Sequence, residues 1–253
     1  MASLKISFLL PVLNETYLLE QTVDGILKGA PNDTHEIVIV TAERTTPEAM
    51  AVVERLVAAH PTTIRHHRQK LPFLGGAMQE AFALATGDHI MLMSSDMETD
   101  PASIPDFMAK MREGRWDIVA SSRWIRGGGF VGYNPAKWLL NWGFQQIFRM
   151  LYWSRLTDLT FGYRLYKREC LQGIRWQELK HPFILECLLK PLLLGARATE
   201  IPTFWKARSE GDSANSFLAT FKYLGIAVRA RFMSKASMRA PTEPTGQVPL
   251  ASG

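Results

Sequence analysis

The sequence predicts an α/β protein, a mostly parallel central sheet flanked by helices in a single domain. Three observations carry that expectation. Apolar runs at 6–12, 36–40 and 89–93 are short and end at Pro, Thr or Ser, as strands covered on both faces do. Segments with helical apolar spacing separate them, which makes strand–helix–strand units. The chain has 253 residues, enough for one large domain, and 47% of them are hydrophobic, which excludes a largely disordered protein.

Ile6–Val12 opens the sheet and is ended by Pro11 and Asn14. Leu18, Leu19, Val23, Ile26 and Leu27 have helical spacing, so a helix is expected over 16–28, stopping at Gly29-Ala30-Pro31. Glu36–Val40 is the second strand; a Thr/Pro loop leads from it to a helix from Pro47 to Ala59. Thr62–His66 is a third, shorter strand. Gly75-Gly76 precede a helical pattern over 77–85, and Gly87-Asp88 turns the chain into a fourth strand, His89–Met93.

Beyond Ser95 the spacing predicts a helix over 105–113, a strand over 117–120 and a long helix over 135–153 rich in Trp, Phe, Leu and Met. A strand over 161–166, a helix over 182–194, a strand over 199–205 and a helix over 216–233 complete the fold. From Ser234 the composition is Ala, Pro, Ser, Thr and Gly with little to bury. The folded domain is therefore expected to span 1–233, with 234–253 a disordered tail.

Charge is divided unevenly. The total is +5, from 29 Lys+Arg and 24 Asp+Glu. Residues 1–100 carry 7 basic and 13 acidic side chains, a net of −6, and residues 101–253 carry 22 and 11, a net of +11. A basic half suggests an anionic partner. The positive charge is scattered among acidic motifs rather than gathered on a recognition element, which argues against nucleic acid as that partner. No G-x-G-x-x-G follows the first strand, which argues against a dinucleotide cofactor. The two cysteines, Cys170 and Cys187, and the six histidines have no zinc-like spacing. With neither a leader-like start nor an apolar run of roughly 18 residues, the expected location is cytoplasmic.

In parallel α/β sheets ligands bind beyond the carboxyl ends of the strands. The loop after the fourth strand, Met91–Pro101 (MLMSSDMETDP), carries Asp96, Glu98 and Asp100. Alternate residues of extended chain point the same way, so Asp96 and Glu98 could converge on one hard cation. Mg2+ or Mn2+ held by one or two carboxylates plus substrate phosphates would suit them. An acidic loop capping the following helix is the alternative, and the segment alone leaves both open.

Further segments fall in order along the chain: Pro11-Val12-Leu13-Asn14-Glu15, Leu74-Gly75-Gly76-Ala77, Ser121-Ser122-Arg123 with Gly127–Gly129, Asp158 to Tyr166 (DLTFGYRLY), Phe183-Ile184-Leu185-Glu186, and Arg208 to Ser213 (RSEGDS). Over roughly residues 5–232 this series resembles the family 2 glycosyltransferases of GT-A fold, and most of all the polyprenyl-phosphate (dolichyl-phosphate) mannosyl- and glucosyltransferases. The chain departs from the family pattern at Ser94, where the first Asp of D-x-D is usual. It departs again at Thr41-Ala42-Glu43 in place of Asp-Asp-Gly, at Phe161 in place of a small residue, and at Ala214 in place of Lys.

The resemblance implies transfer of a sugar, with inversion, from a GDP- or UDP-sugar to a polyprenyl-phosphate lipid, or else to a hydroxyl of a saccharide or other soluble acceptor. The donor pocket it implies is lined by Pro11, Asn14, Glu15, Glu43, Gly75, Gly76, Ser95 and Ser213. Asp96 and Glu98 would hold Mg2+ or Mn2+, and Arg123, Arg126 and Lys137 would face the acceptor. Catalytic parts fall to Asp96, Asp158, Arg164, Glu186 and Arg208. A hydroxyl acceptor would need a base, for which Asp158 and Glu186 are the candidates, and Glu186 is equally suited to an ion pair with Lys190. The 135–153 helix combines Trp138, Trp142 and Trp153 with Lys137 and Arg149, which suits either a helix lying on an anionic membrane or a helix packed on the sheet. The 216–233 helix shares those traits through Phe232, Arg229 and Arg231. A peripheral position on the cytosolic membrane face is therefore expected.

Overall fold

The computed structural model describes residues 3–206 and 219–240. Its strands are β1 Ile6–Val12, β2 Thr34–Thr41, β3 Ile64–Arg68, β4 His89–Leu92, β5 Ile118–Ser122, β6 Gly129–Val131, β7 Arg164–Lys167, β8 Ala198–Pro202 and β9 Phe204–Lys206. Its helices are α1 Tyr17–Gly29, α2 Pro47–Ala59, α3 Phe73–Leu84, α4 Ile104–Met111, α5 Pro135–Tyr152, α6 Phe183–Leu193 and α7 Ala219–Phe232. Seven strands form one sheet in the order β3-β2-β1-β4-β7-β5-β8, and β6 pairs with β9 in a second.

Within the large sheet only β7 is antiparallel to its neighbours, β4 and β5. The remaining six strands run one way, so their carboxyl ends share one edge. Both faces are covered, which explains why the strands read as continuous apolar runs. Phe8, Leu10, Ile37 and Ile39 point toward α1, α2 and α4 with Val23, Val53 and Phe107. Leu9, Val38 and Ile90 point the other way, onto Phe82 of α3, Phe148 of α5 and Leu188 of α6. The alternation along β1 and β2 is the period-two consequence of the pleat.

Three expectations need correction. The expected 199–205 strand is two strands, because Thr203 leaves the large sheet: its N–H donates to Ser122 O (3.0 Å) and its carbonyl accepts from Gly129 N (3.1 Å), which starts β9 on β6. Of 161–166 only Arg164 onward is strand; Tyr163 instead donates its hydroxyl to Asp100 O at 3.0 Å. Residues 234–240 do not behave as a disordered tail. Met238 is buried, its carbonyl accepts from Arg175 N (2.8 Å), and Ala240 N donates to Gly173 O (2.8 Å). Residues 216–218 of the last expected helix and 241–253 of the expected tail lie outside the described residues. No described helix is long and apolar enough to cross a membrane.

Candidate active site at the carboxyl edge of the sheet

β1, β2 and β4 are adjacent, so the three loops leaving them open side by side. Backbone and side-chain bonds stitch them together. Thr45 donates its hydroxyl to Val12 O (3.0 Å), Thr46 N donates to Leu13 O (2.8 Å), and buried Ser95 donates its hydroxyl to Pro11 O (2.5 Å). Glu15 turns back to accept from Leu13 N (2.7 Å) and Asn14 N (3.2 Å), fixing the end of β1 as a tight loop. Asn14 and Glu43 are exposed at this mouth and Glu15 is half-buried. Pro11, Asn14, Glu15, Glu43 and Ser95 are thus gathered at one place.

The acidic loop closes that group on the β4 side. Asp96 is buried and its Oδ1 accepts from Glu98 N at 3.1 Å. Met97 between them has φ of 61°, a left-handed conformation costly for any residue with a Cβ, and strain of this kind gathers at binding sites. Asp100 is engaged elsewhere: it caps the short 3-10 turn at Pro101–Ser103 by accepting from Ala102 N (2.9 Å) and lies 3.8 Å from Lys206 Nζ. Ser94, at the position of the missing first Asp, hydrogen-bonds Thr99 Oγ1 at 3.0 Å. Among the described residues no three His, Cys, Asp or Glu side chains converge. A cation at this edge would have to draw on the carboxylates of Asp96 and Glu98, two apart in the loop. Hard oxygen donors in that number fit Mg2+ or Mn2+, whose other positions go to phosphate oxygens and water.

The next part of the edge lies beyond β5, which runs parallel to β4 across the intervening β7. Arg123 and Asp158 form a two-point ion pair there, with Nε to Oδ2 at 2.6 Å and Nη2 to Oδ1 at 2.9 Å. The guanidinium carbon lies over the rings of Phe161 and Phe130, 4.5 and 5.0 Å from their centres. Glu200 on β8 supports the pair by accepting from Asp158 N (2.8 Å), Thr157 N (2.7 Å) and the Thr157 hydroxyl (2.9 Å). Burial raises the Glu200 pKa, and these bonds offset only part of that rise. From α5, Gln145 donates to Thr160 Oγ1 (2.7 Å) and accepts from Leu159 N (2.9 Å). Arg123 was expected to face the acceptor; its charge is instead spent inside the protein. Arg126, three residues on, is exposed, and Lys137 lies in the first turn of α5.

Two other expected catalytic groups lie away from the edge. Arg164 is fully buried and braces the interior, donating to Leu159 O (2.8 Å) and Ile184 O (2.5 Å). Glu186 pairs with Lys190 at 2.6 Å and accepts from Glu178 N (2.9 Å) and Gln177 N (3.1 Å), so of the two roles open to it the ion pair is the one present. Gly75 and Gly76 serve packing: a Cβ at Gly75 would lie 2.5 Å from Glu178 O, and one at Gly76 2.7 Å from the Leu71 backbone. Arg208 and Ser213 lie outside the described residues.

Sequence reasoning missed Glu200, Thr157 and Gln145, together with an aromatic chain from Trp124 through Phe130 and Tyr133 to Trp205, at centroid spacings of 4.9, 4.8 and 5.0 Å. Gln145 left a usable trace. It is the polar residue on the helical face that carries Phe144 and Phe148, and a buried amide needs partners. Nothing local marks Glu200, whose partners are some 40 residues distant in sequence.

The chain resembles known proteins over this same span. A family model described as glycosyl transferase family 2 matches residues 7–175. Glycosyltransferase AglD of Haloferax volcanii is 29% identical over 217 residues, which cover 83% of this chain and 34% of that protein. Dolichol-phosphate mannosyltransferase of Pyrococcus furiosus is 24% identical, covering 87% of this chain and 62% of that protein. Undecaprenyl-phosphate mannosyltransferase of Micrococcus luteus is also 24% identical, covering 84% and 88%. This chain thus spans about a third of the first and under two thirds of the second. Among solved structures, glucosyl-3-phosphoglycerate synthase of Mycobacterium tuberculosis with uridine diphosphate superposes at a TM-score of 0.66 with 16% identity, covering 90% of this chain and 80% of that one. The same enzyme with Mn2+, uridine diphosphate and phosphoglyceric acid gives 0.66 and 15%, covering 91% and 79%. The expected α/β architecture of GT-A type is therefore present. The matched residues run from β1 through β7 and hold the stitched loops, the acidic pair and the Arg123–Asp158 brace, and the chain belongs to glycosyl transferase family 2.

Proposed function

We propose that the chain transfers a hexose from a GDP- or UDP-sugar to the phosphate of a polyprenyl lipid, with inversion at the anomeric carbon, at the cytosolic face of a membrane. The observation that carries the acceptor half is the state of Asp158 and Glu186. A hydroxyl acceptor must lose a proton in the transition state, and these two carboxylates were the candidates to take it. Both are buried and held in ion pairs, by Arg123 and Lys190. A lipid phosphate arrives ionised and needs no base. Its similarity to the dolichol- and undecaprenyl-phosphate mannosyltransferases supports the same acceptor.

In this reaction a phosphate oxygen of the acceptor bonds to the anomeric carbon from the face opposite the nucleotide. The bond from that carbon to the diphosphate oxygen breaks, and its electron pair leaves with the diphosphate. In this reading the loops after β1 and β2 take the nucleoside, and Asp96 and Glu98 are assigned to the diphosphate. A Mg2+ or Mn2+ bound by them would neutralise charge developing on the leaving group. Arg126 and Lys137 supply positive charge on the acceptor side, and Arg208 and Ser213 are assigned to the diphosphate.

The test offers the purified protein GDP- and UDP-sugars with polyprenyl phosphate, with phosphoglyceric acid and with free saccharides, each with and without Mn2+. Metal-dependent glycolipid formation is expected. Turnover on a saccharide or on phosphoglyceric acid, with none on the lipid phosphate, would overturn the assignment.

A further inference from the structure

We propose that Thr99 is a positioning residue for the acidic loop: its buried hydroxyl closes residues 94–99 into a ring that holds Asp96 and Glu98 in place for a divalent cation. The proposal rests on the reading of those two carboxylates as cation ligands, and the experiment below separates the two claims.

Thr99 is 3% exposed, and its hydroxyl is bonded to Ser94, five residues back. Its Oγ1 accepts from Ser94 N at 3.1 Å and lies 3.0 Å from Ser94 Oγ and 3.4 Å from Ser94 O. A hydroxyl has one proton to give and two lone pairs to share. Donating to the Ser94 carbonyl while accepting from the Ser94 N–H and hydroxyl uses that whole capacity. Thr99→Val would fill the same space and leave the Ser94 N–H without this partner, which is what makes the hydroxyl rather than the shape the active part.

Both ends of the ring are fixed from outside. Beside Ser94, buried Ser95 donates its hydroxyl to Pro11 O (2.5 Å) at the end of β1. At the other end the Thr99 backbone makes an antiparallel bridge to Trp205 of β9. Asp100, next in sequence, is held through its carbonyl by the Tyr163 hydroxyl at 3.0 Å. Asp96, Met97 and Glu98 form the arc between these anchors.

That arc needs a constraint. Met97 has φ of 61°, and a strained backbone persists only where its surroundings over-determine it. The bond from Glu98 N to Asp96 Oδ1 joins residues two apart and does not reach outside the arc. The Ser94–Thr99 ring does reach outside it. Without the ring Met97 is free to relax toward negative φ, which turns Asp96 and Glu98 relative to each other. Ser94 gains a role on the same grounds: at the position where the first Asp of D-x-D is usual, it is the other half of the ring.

The test is Mn2+ titration of the full chain, with the free ion read by its electron paramagnetic resonance signal and the fold followed by melting temperature. The parent should bind Mn2+, and Asp96→Asn should lose it. Groups that orient metal ligands change metal affinity by about 10–100-fold when removed, and that loss is expected of Thr99→Val. Thr99→Ser keeps the hydroxyl and should recover most of the affinity. If Thr99→Val does not fold, Ser94→Ala removes the 3.0 Å bond alone and should weaken Mn2+ binding in the same direction by less. Parental Mn2+ affinity in folded Thr99→Val overturns the proposal, even at a lower melting temperature, because a merely structural residue gives that result. So does Thr99→Ser binding as weakly as Thr99→Val. Binding lost in Asp96→Asn but kept in Thr99→Val refutes the positioning role alone. Binding absent from the parent, or unchanged in Asp96→Asn, refutes the cation assignment and this role with it.

Discussion

Arg123, just past the end of β5, and Asp158, in the segment that leads to β7, are joined at 2.6 and 2.9 Å with both side chains withdrawn from solvent. The pair ties together the segments that follow β5 and precede β7, and each charge is met by the other. Removing one member of a buried pair leaves the other uncompensated, at a cost of about 3–5 kcal/mol. Asp158→Asn and Arg123→Met are each expected to lower stability by that order in urea unfolding. The double variant should lose much less than the sum, and additive losses would contradict a coupled pair.

Glu186 behaves as a structural anion on this account. Glu186→Gln removes the partner of the buried Lys190 and should reduce stability by about 3 kcal/mol. The pH profile of the transferase rate should keep its shape, because the carboxylate takes no proton from the acceptor. A lost acidic limb in that profile, at unchanged melting temperature, would restore Glu186 as a base.

Gly75 is expected to fail through packing. A methyl group there meets the backbone of Glu178 and Leu179 at 2.5–2.6 Å, and backbone cannot yield as a side-chain end can. Gly75→Ala should cost about 1–3 kcal/mol in denaturant unfolding, while nucleotide affinity of the folded fraction stays within about twofold. A selective loss of nucleotide affinity would put this glycine back in the donor pocket.

The strands and helices of the parallel half were legible because their cause is local: apolar runs with Pro and Gly punctuation announce β1, α1 and β2 within a few residues of their observed bounds. The acidic loop was legible for the same reason, since Asp96 and Glu98 are two apart. What escaped depends on partners distant in sequence. Thr203 switches sheets because Ser122 and Gly129 receive it, and Glu200 matters because Thr157 and Asp158 fold over it. Arg123, Arg164 and Glu186 were visible as charges, but only tertiary contacts reveal that all three are spent internally.

Acid should unfold the protein partly through Glu36. Burial alone would raise its pKa, but the Thr86 N–H and hydroxyl, the Ser7 hydroxyl and Arg65 outweigh burial and hold it at about 2. A depressed carboxylate stabilises the fold above its unfolded pKa of about 4.3 and loses that contribution as pH falls toward 2. Glu36→Gln should therefore be less stable than the parent at pH 7, by roughly 3 kcal/mol. The difference should close between pH 5 and pH 2 in chemical denaturation. A gap that persists unchanged at the acid end would contradict this assignment.

The central claim is that Asp96, with Glu98, holds the cation that binds the donor diphosphate. The most direct measurement is the melting temperature with GDP- and UDP-sugars, with and without Mn2+, on the parent protein and on Asp96→Asn. The account predicts that one nucleotide sugar stabilises the parent only when Mn2+ is present, and that Asp96→Asn folds but loses the shift. A parent that no nucleotide sugar stabilises, or a variant that keeps the full Mn2+-dependent shift, would contradict it.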